Sequence, residues 1–165
     1  MAQAAERGDV GPPLVTAGEK DSLVRFLDYL RDSIAHKLDG LSEEEVRRAL
    51  VPSRTTLMML IKHLARVELR WFCINFAGQS MPEVPADPYP TDSDTIPAVL
   101  AAYRAAVGQA NAAIAAGDLD QRAVRSRTAE PPTLRWILIH MIEETARHAG
   151  HADILREQID GAVGR

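Results

Sequence analysis

Residues 133–161 read TLRWILIHMIEETARHAGHADILREQIDG, and this stretch decides the fold. Leu134, Leu138, Met141, Thr145, His148, Ala152, Leu155 and Ile159 recur at a 4-3 spacing, the period of one helix face. Thr133 stands where an N-cap belongs, and Gly161 follows as the expected stop. A single helix from Thr133 to Asp160 is predicted. Working outward, the same grammar repeats three times. Helical patterns cover Glu19 to Asp39, Thr55 to Ala77 and Asp94 to Ala116, followed at once by Gly40, Gly78 and Gly117. Thr16 with Glu19, and Ser42 with Glu45, have capping-box spacing, Asp94 is a candidate cap, and Pro97 falls in a first turn.

Each helix carries an apolar stripe. The first is Leu23, Phe26, Leu27, Leu30, Ile34 and Leu38; the second is Leu57, Leu60, Leu64, Val67 and Trp71. The alanine-rich third has Ile96, Val99, Leu100, Tyr103, Val107 and Ile114. No segment alternates with a period of two, so no strand is expected. The expected fold is an all-α four-helix bundle, with helices about 30 to 42 Å long at 1.5 Å per residue. A short amphipathic helix around Glu43 to Leu50 sits between helices one and two. Gln79 to Ser93 contains Pro82, Pro85, Pro88 and Pro90, and an extended chain of that length can run along the whole bundle. Up-down-down-up wiring follows, with up-down-up-down as the alternative. Residues 1–18 read as a loose arm and 19–165 as the bundle domain.

Composition narrows the function. The chain has 165 residues, enough for one core, with 19 Lys and Arg against 23 Asp and Glu, a formal net charge of -4. That balance argues against nucleic acid as a partner. The apolar run Leu57 to Ile61 is broken by Lys62 and His63, too short to span a bilayer, and the opening residues lack a signal-peptide core. One cysteine, Cys73, excludes an internal disulfide. Composition alone points to a soluble, acidic, cytoplasmic protein.

Chemistry concentrates on histidine. At about 100° per residue, His140, Glu144, His148 and His151 fall within roughly 80° of one another on the last helix. A charged Glu144 beside His148 in a bundle core is costly without a compensating partner, and a metal ion supplies one. His63 interrupts the apolar face of helix two. If helices two and four run antiparallel, His63 and His148 lie about 14 Å and 18 Å from the same end of the bundle. Two histidines and a carboxylate with an open position suit zinc, iron or nickel. The geometry permits this set without compelling it: a hydrogen-bonded core histidine and an i,i+4 helix pair are the plain alternatives. His36 lies off its stripe and reads as solvated; Cys73, Trp71 and Trp136 read as packing groups.

LIKHLARVELRWF (60–72) and LRWILIHMIEETARHAGHADILRE (134–157) resemble the DinB/YfiT-like superfamily, more narrowly its actinobacterial DinB-like or mini-circle branch, from about Glu19 to Gly161. The resemblance implies an up-down-down-up bundle binding a divalent metal, Zn2+ foremost with Ni2+ or Fe2+ possible, through His63, Glu144 and His148. Most members carry histidine where this chain has Glu144. The mycothiol-dependent maleylpyruvate isomerases of the superfamily use glutamate there. His151 stands where many relatives have glutamine, so it is a candidate for donating a hydrogen bond to a metal ligand, for acting as general base, or for replacing Glu144 as ligand. Several members are transferases or isomerases using a low-molecular-weight thiol such as mycothiol or bacillithiol. The implied function is a metal-dependent S-transferase or isomerase for a small electrophile, with His151 or His140 moving the proton, in a chain whose relatives often form homodimers. A metal-dependent hydrolase and a non-catalytic binding bundle are the alternatives.

Overall fold

A computed structural model of the chain describes residues 11–14, 18–80 and 89–164. It contains α1 (Glu19–His36), α2 (Leu57–Glu68) continued by a π-helical segment (Leu69–Phe76), α3 (Ile96–Ala116) and α4 (Leu134–Asp160). Among the described residues there is no strand, only an isolated antiparallel bridge between Arg122 and Thr133.

Three helices start as hydroxyl chemistry dictates. The side chains of Thr56, Thr95 and Thr133 accept the backbone N–H of Met59, Ala98 and Trp136, each satisfying an orphan donor of the first turn. Asp94 is therefore not the cap of α3. Its carboxylate accepts the Thr91 N–H at 2.6 Å and pairs with Lys62 at 2.7 Å. At α1 the N-cap is Gly18, with no side-chain bond, and Thr16 lies outside the described residues. Ser42 and Glu45 do form the reciprocal pair expected of them. The helix it introduces is only a 3-10 turn, Glu45–Arg47, shorter than the span to Leu50 read from amphipathicity.

α1 stops at His36 rather than Asp39. The backbone N–H groups of Lys37, Leu38 and Asp39 reach back three residues instead of four, tightening the end. Two freed carbonyls, of Lys37 and Asp39, accept the buried Arg156 guanidinium at 2.7 and 2.9 Å. Gly40, Gly78 and Gly161 take positive φ, the helix-stop conformation expected; Gly117 does not, at φ -104°. What requires glycine at 117 is a neighbour: a Cβ there would lie 2.6 Å from Cε1 of Phe76.

Contacts at the helix ends give the wiring. Arg135 pairs with Glu19 at one end of α1 and α4, and Lys37 with Asp153 toward the other, so these helices are parallel. Lys20 donates to the Gly117 carbonyl at 2.6 Å, so α3 runs antiparallel to α1. Lys62 meets Asp94 near the starts of α2 and α3, while Phe76 meets Gly117 near their ends, so these two are parallel. The bundle is up-down-down-up, and α2 is antiparallel to α4. Residues 81–88 of the proline-rich connection, with Pro82, Pro85 and Pro88, lie outside the described residues.

The core draws on all four helices, with Leu27, Ile34, Ile61, Leu64, Leu138 and Met141 almost fully buried. Burying side chains of this size contributes about 1.5–3 kcal/mol each. Ala106, Ala110 and Ala113 form the buried face of α3. Phe26, expected in the stripe of α1, is 39% exposed instead. One polar contact crosses the core: Arg31 Nε and Nη2 donate to Glu68 at 2.7 and 2.5 Å, a bidentate pair. Asp28 and Asn111 accept from its Nη1, both at 2.8 Å. Burial works against the guanidinium, yet its bonds to Glu68 and Asp28 hold its pKa above the ordinary value.

Candidate metal centre

Antiparallel packing of α2 on α4 brings His63 opposite Glu144 and His148. His63 Nε2 is the hydrogen-bond partner of Glu144 Oε1 at 3.0 Å, and His148 Nε2 lies 3.4 Å from the same oxygen. The two imidazoles meet edge to face with centroids 4.7 Å apart. One donor atom from each of the three residues falls within 4.8 Å of the others, the only such group among the described residues. Four ligands at about 2.0–2.1 Å around a tetrahedral ion are separated by roughly 3.3 Å. The 3.0 and 3.4 Å from Glu144 Oε1 to the two imidazole nitrogens match that spacing. The side chains of His63, Glu144 and His148 are 22%, 19% and 18% exposed, so the group opens toward solvent and leaves room for a further ligand.

Electrostatics favour the ligating forms. Burial would push the Glu144 carboxyl up, but the His63 hydrogen bond and the charge of both imidazoles hold it below the ordinary value. Burial, then the nearby His63, pushes His148 down. An anionic carboxylate and a neutral imidazole are what a divalent ion needs. His148 Nδ1 is buried with no hydrogen-bond partner, a departure from the usual carboxylate or carbonyl behind a ligating histidine.

The remaining histidines separate. His151 is exposed, with its ring 5.5 Å from that of His148. His140 is one turn away from the triad, stacked on Trp136 at 5.2 Å and edge-on to Trp71 at 4.8 Å. His36 is exposed and its Nδ1 meets the Asp32 carbonyl of its own helix. Cys73 is buried, where burial pushes its thiol pKa up.

Two features had no clear signal in the sequence. The helix changes winding after Glu68, with an i to i+5 bond from the Ala77 N–H to the Phe72 carbonyl; such turns often occur at functional sites. The connection between α3 and α4 is tied to that segment. Val124 N–H donates to the Phe76 carbonyl at 3.1 Å and Arg125 N–H to Asn75 at 2.8 Å. Trp71 and Trp136, read as packing groups, pack on one another at 5.7 Å, but Trp136 is 50% exposed.

No helix is long and apolar enough to cross a membrane among the described residues. In fold, the chain is similar to a DinB-like protein from Bacillus cereus ATCC 10987, with a TM-score of 0.63 at 19% identity over 84% of this chain and 91% of that one. It is also similar to a conserved protein from Enterococcus faecalis, with a TM-score of 0.62 at 14% identity over 88% and 99%. No curated protein matches the sequence. The family model described as Mycothiol-S-transferase matches residues 22–161, which span nearly all of the four helices and include His63, Glu144 and His148. The chain thus belongs to the mycothiol-S-transferase family and shares the fold of a DinB-like protein.

Proposed function

We propose that this protein joins a low-molecular-weight thiol of the mycothiol type to a small electrophile, with a divalent metal, foremost zinc, held by His63, Glu144 and His148. The observation that carries the reading is the convergence of those three donor atoms in a chain of this family. Held by those three residues, a divalent ion would supply Lewis acidity and so favour the thiolate form of a thiol cosubstrate. Glu144 presents its carboxylate between two imidazoles, and His63 Nε2, now the hydrogen-bond partner of Glu144, is the nitrogen it would offer the ion. His151, exposed beside His148, receives the thiol proton as the sulfur–carbon bond forms and the electrophile's leaving group departs with its bonding pair; His140, one turn back, is the alternative acceptor. The thiol comes from the cosubstrate, because the sole cysteine is buried.

Metal analysis of the purified wild type against His63→Ala and His148→Ala tests the centre. The expectation is one divalent ion per chain, lost in both variants; a wild type that holds none under metal-replete conditions overturns it. Conjugation of monochlorobimane with mycothiol, bacillithiol and glutathione then tests the chemistry. Turnover without any thiol would identify a hydrolase instead.

A further inference from the structure

Beside the histidine group lies a second feature that this chemistry does not use. The α3–α4 connection and the π-helical segment enclose an open cleft of about 550 Å³, within the usual range for small-molecule sites. Its lining includes Arg70, Arg122, Arg125, Arg127, Trp71 and Trp136. Four arginines line it in a chain whose net charge is -4, with Glu130 the one carboxylate in the lining. None of the four arginines forms an ion pair among the described residues. Arg122 donates to the Pro131 carbonyl at 2.8 Å, and Arg125 to the Gly78 carbonyl at 3.1 Å and Ser80 Oγ at 3.4 Å, all neutral acceptors.

The walls are fixed. Backbone bonds tie Val124 and Arg125 to the end of the π-helical segment, and Leu134 N–H to the Gln121 carbonyl at 2.9 Å. The positive end of the 27-residue α4 also faces the cleft through Thr133. Trp71 and Trp136 are inclined at 53°, giving an aromatic surface next to the unpaired cations. Guanidinium forks match a carboxylate, and indole faces match a planar ring.

We propose that this cleft binds small planar organic anions, above all aromatic carboxylates, with the anionic group on the arginines and the ring against Trp71 and Trp136. Along α4, Trp136, His140, Glu144 and His148 follow at four-residue intervals, about 6 Å apart along the axis. An anion in the cleft therefore extends toward the histidine group. That such an anion is the electrophile of the transfer rests on the proposed function; its binding does not.

The chain's two tryptophans both line the cleft, so intrinsic fluorescence reads occupancy directly. The full-length protein is titrated with 4-nitrobenzoate, a quencher of indole emission, and with nitrobenzene as the uncharged counterpart, after inner-filter correction. Saturable quenching by 4-nitrobenzoate and not by nitrobenzene is expected. Arg70→Gln with Arg127→Gln should weaken it at least about tenfold, the size of losing a charge-assisted hydrogen bond. Glu130→Gln should tighten it, a gain that damage to the fold cannot imitate. His148→Ala, which removes a proposed metal ligand, should leave binding unchanged. Equal quenching by both probes, or a double arginine variant that binds like the wild type, overturns the proposal. So does binding that disappears with His148→Ala alone, because the anion then sits at the histidine group. Saturable anion binding in a protein without metal or thiol conjugation would leave the cleft standing and remove only the proposed function.

Discussion

Removing either partner of the Arg31–Glu68 pair should destabilise the bundle, and by unequal amounts. The two side chains are 3% and 1% exposed, so neither charge can turn to water when its partner goes. Truncating one member of such a pair costs about 3–5 kcal/mol, a large fraction of a total of about 5–15 kcal/mol. Glu68→Leu belongs at the lower end, about 3 kcal/mol, because Arg31 keeps its 2.8 Å bonds to Asp28 and Asn111. Arg31→Met leaves Glu68 with no other hydrogen-bond donor among the described residues, in an interior that already pushes its carboxyl up, so its cost lies nearer 5 kcal/mol at neutral pH. With its folded pKa raised above the unfolded value, Glu68 in that variant contributes stability below the unfolded pKa that is lost as pH rises through the folded one. The Arg31→Met protein should thus recover stability in mild acid, while Glu68→Leu should not. The double variant, an apolar pair of similar bulk, should be more stable than either single one. Urea unfolding followed by far-UV circular dichroism at several pH values measures all three. If the two single costs are each below about 1 kcal/mol, or simply add in the double variant, the pair is not the coupled buried element described here.

Three further outcomes are expected. Saturating the protein with Zn2+ at a hundred times its Kd should add about 2.7 kcal/mol of stability; the resulting rise in Tm should vanish with EDTA and in His148→Ala, as seen by scanning calorimetry. Gly117→Ala places a methyl group against the Phe76 ring and should cost about 1–3 kcal/mol, part of which Phe76→Leu restores in chemical denaturation. The Lys62 hydrogen bond, with that from Thr91, holds Asp94 at about 2. Its contribution is therefore complete above the unfolded pKa near 3.8 and lost as pH falls toward about 2. Because the contact is near the surface it amounts to no more than about 1 kcal/mol, so Asp94→Asn should flatten the acid limb of the stability profile only slightly.

The sequence was legible wherever a local rule decides the outcome. Thr133 and Gly161 bound α4 as caps should, and the 4-3 stripe places Leu138 and Met141 in the core. The pairing of Glu144 with His148 follows from one turn of helix, and His63 joins them once α2 is antiparallel to α4. Other positions were decided by partners far away in the chain. Gly117 reads as a left-handed stop, but the Phe76 ring is what excludes a side chain there. Asp94 and Thr95 are both good caps, and Lys62 takes the first out of contention. The π winding leaves little trace because Leu69–Phe76 is rich in large apolar residues, for which a change of period is hard to see. Residues 118–133 have no period at all, so nothing foretold that four arginines and two indoles would share a cleft.

The change of winding at Glu68 also bears on how such a protein can diversify. His63 belongs to the α-wound turns, whereas Arg70, Trp71 and Asn75 belong to the π-wound ones. A one-residue deletion after Phe72 that rewound the segment as α-helix would leave His63 in place. It would turn Phe76 away from Gly117 and part Asn75 and Phe76 from the backbone of Arg125 and Val124. The histidine-bearing rod and the arginine-bearing cap are in this sense separate modules joined at a single residue. Under the two proposals made above, insertions and substitutions in the cap would alter the cleft while leaving His63, Glu144 and His148 in place.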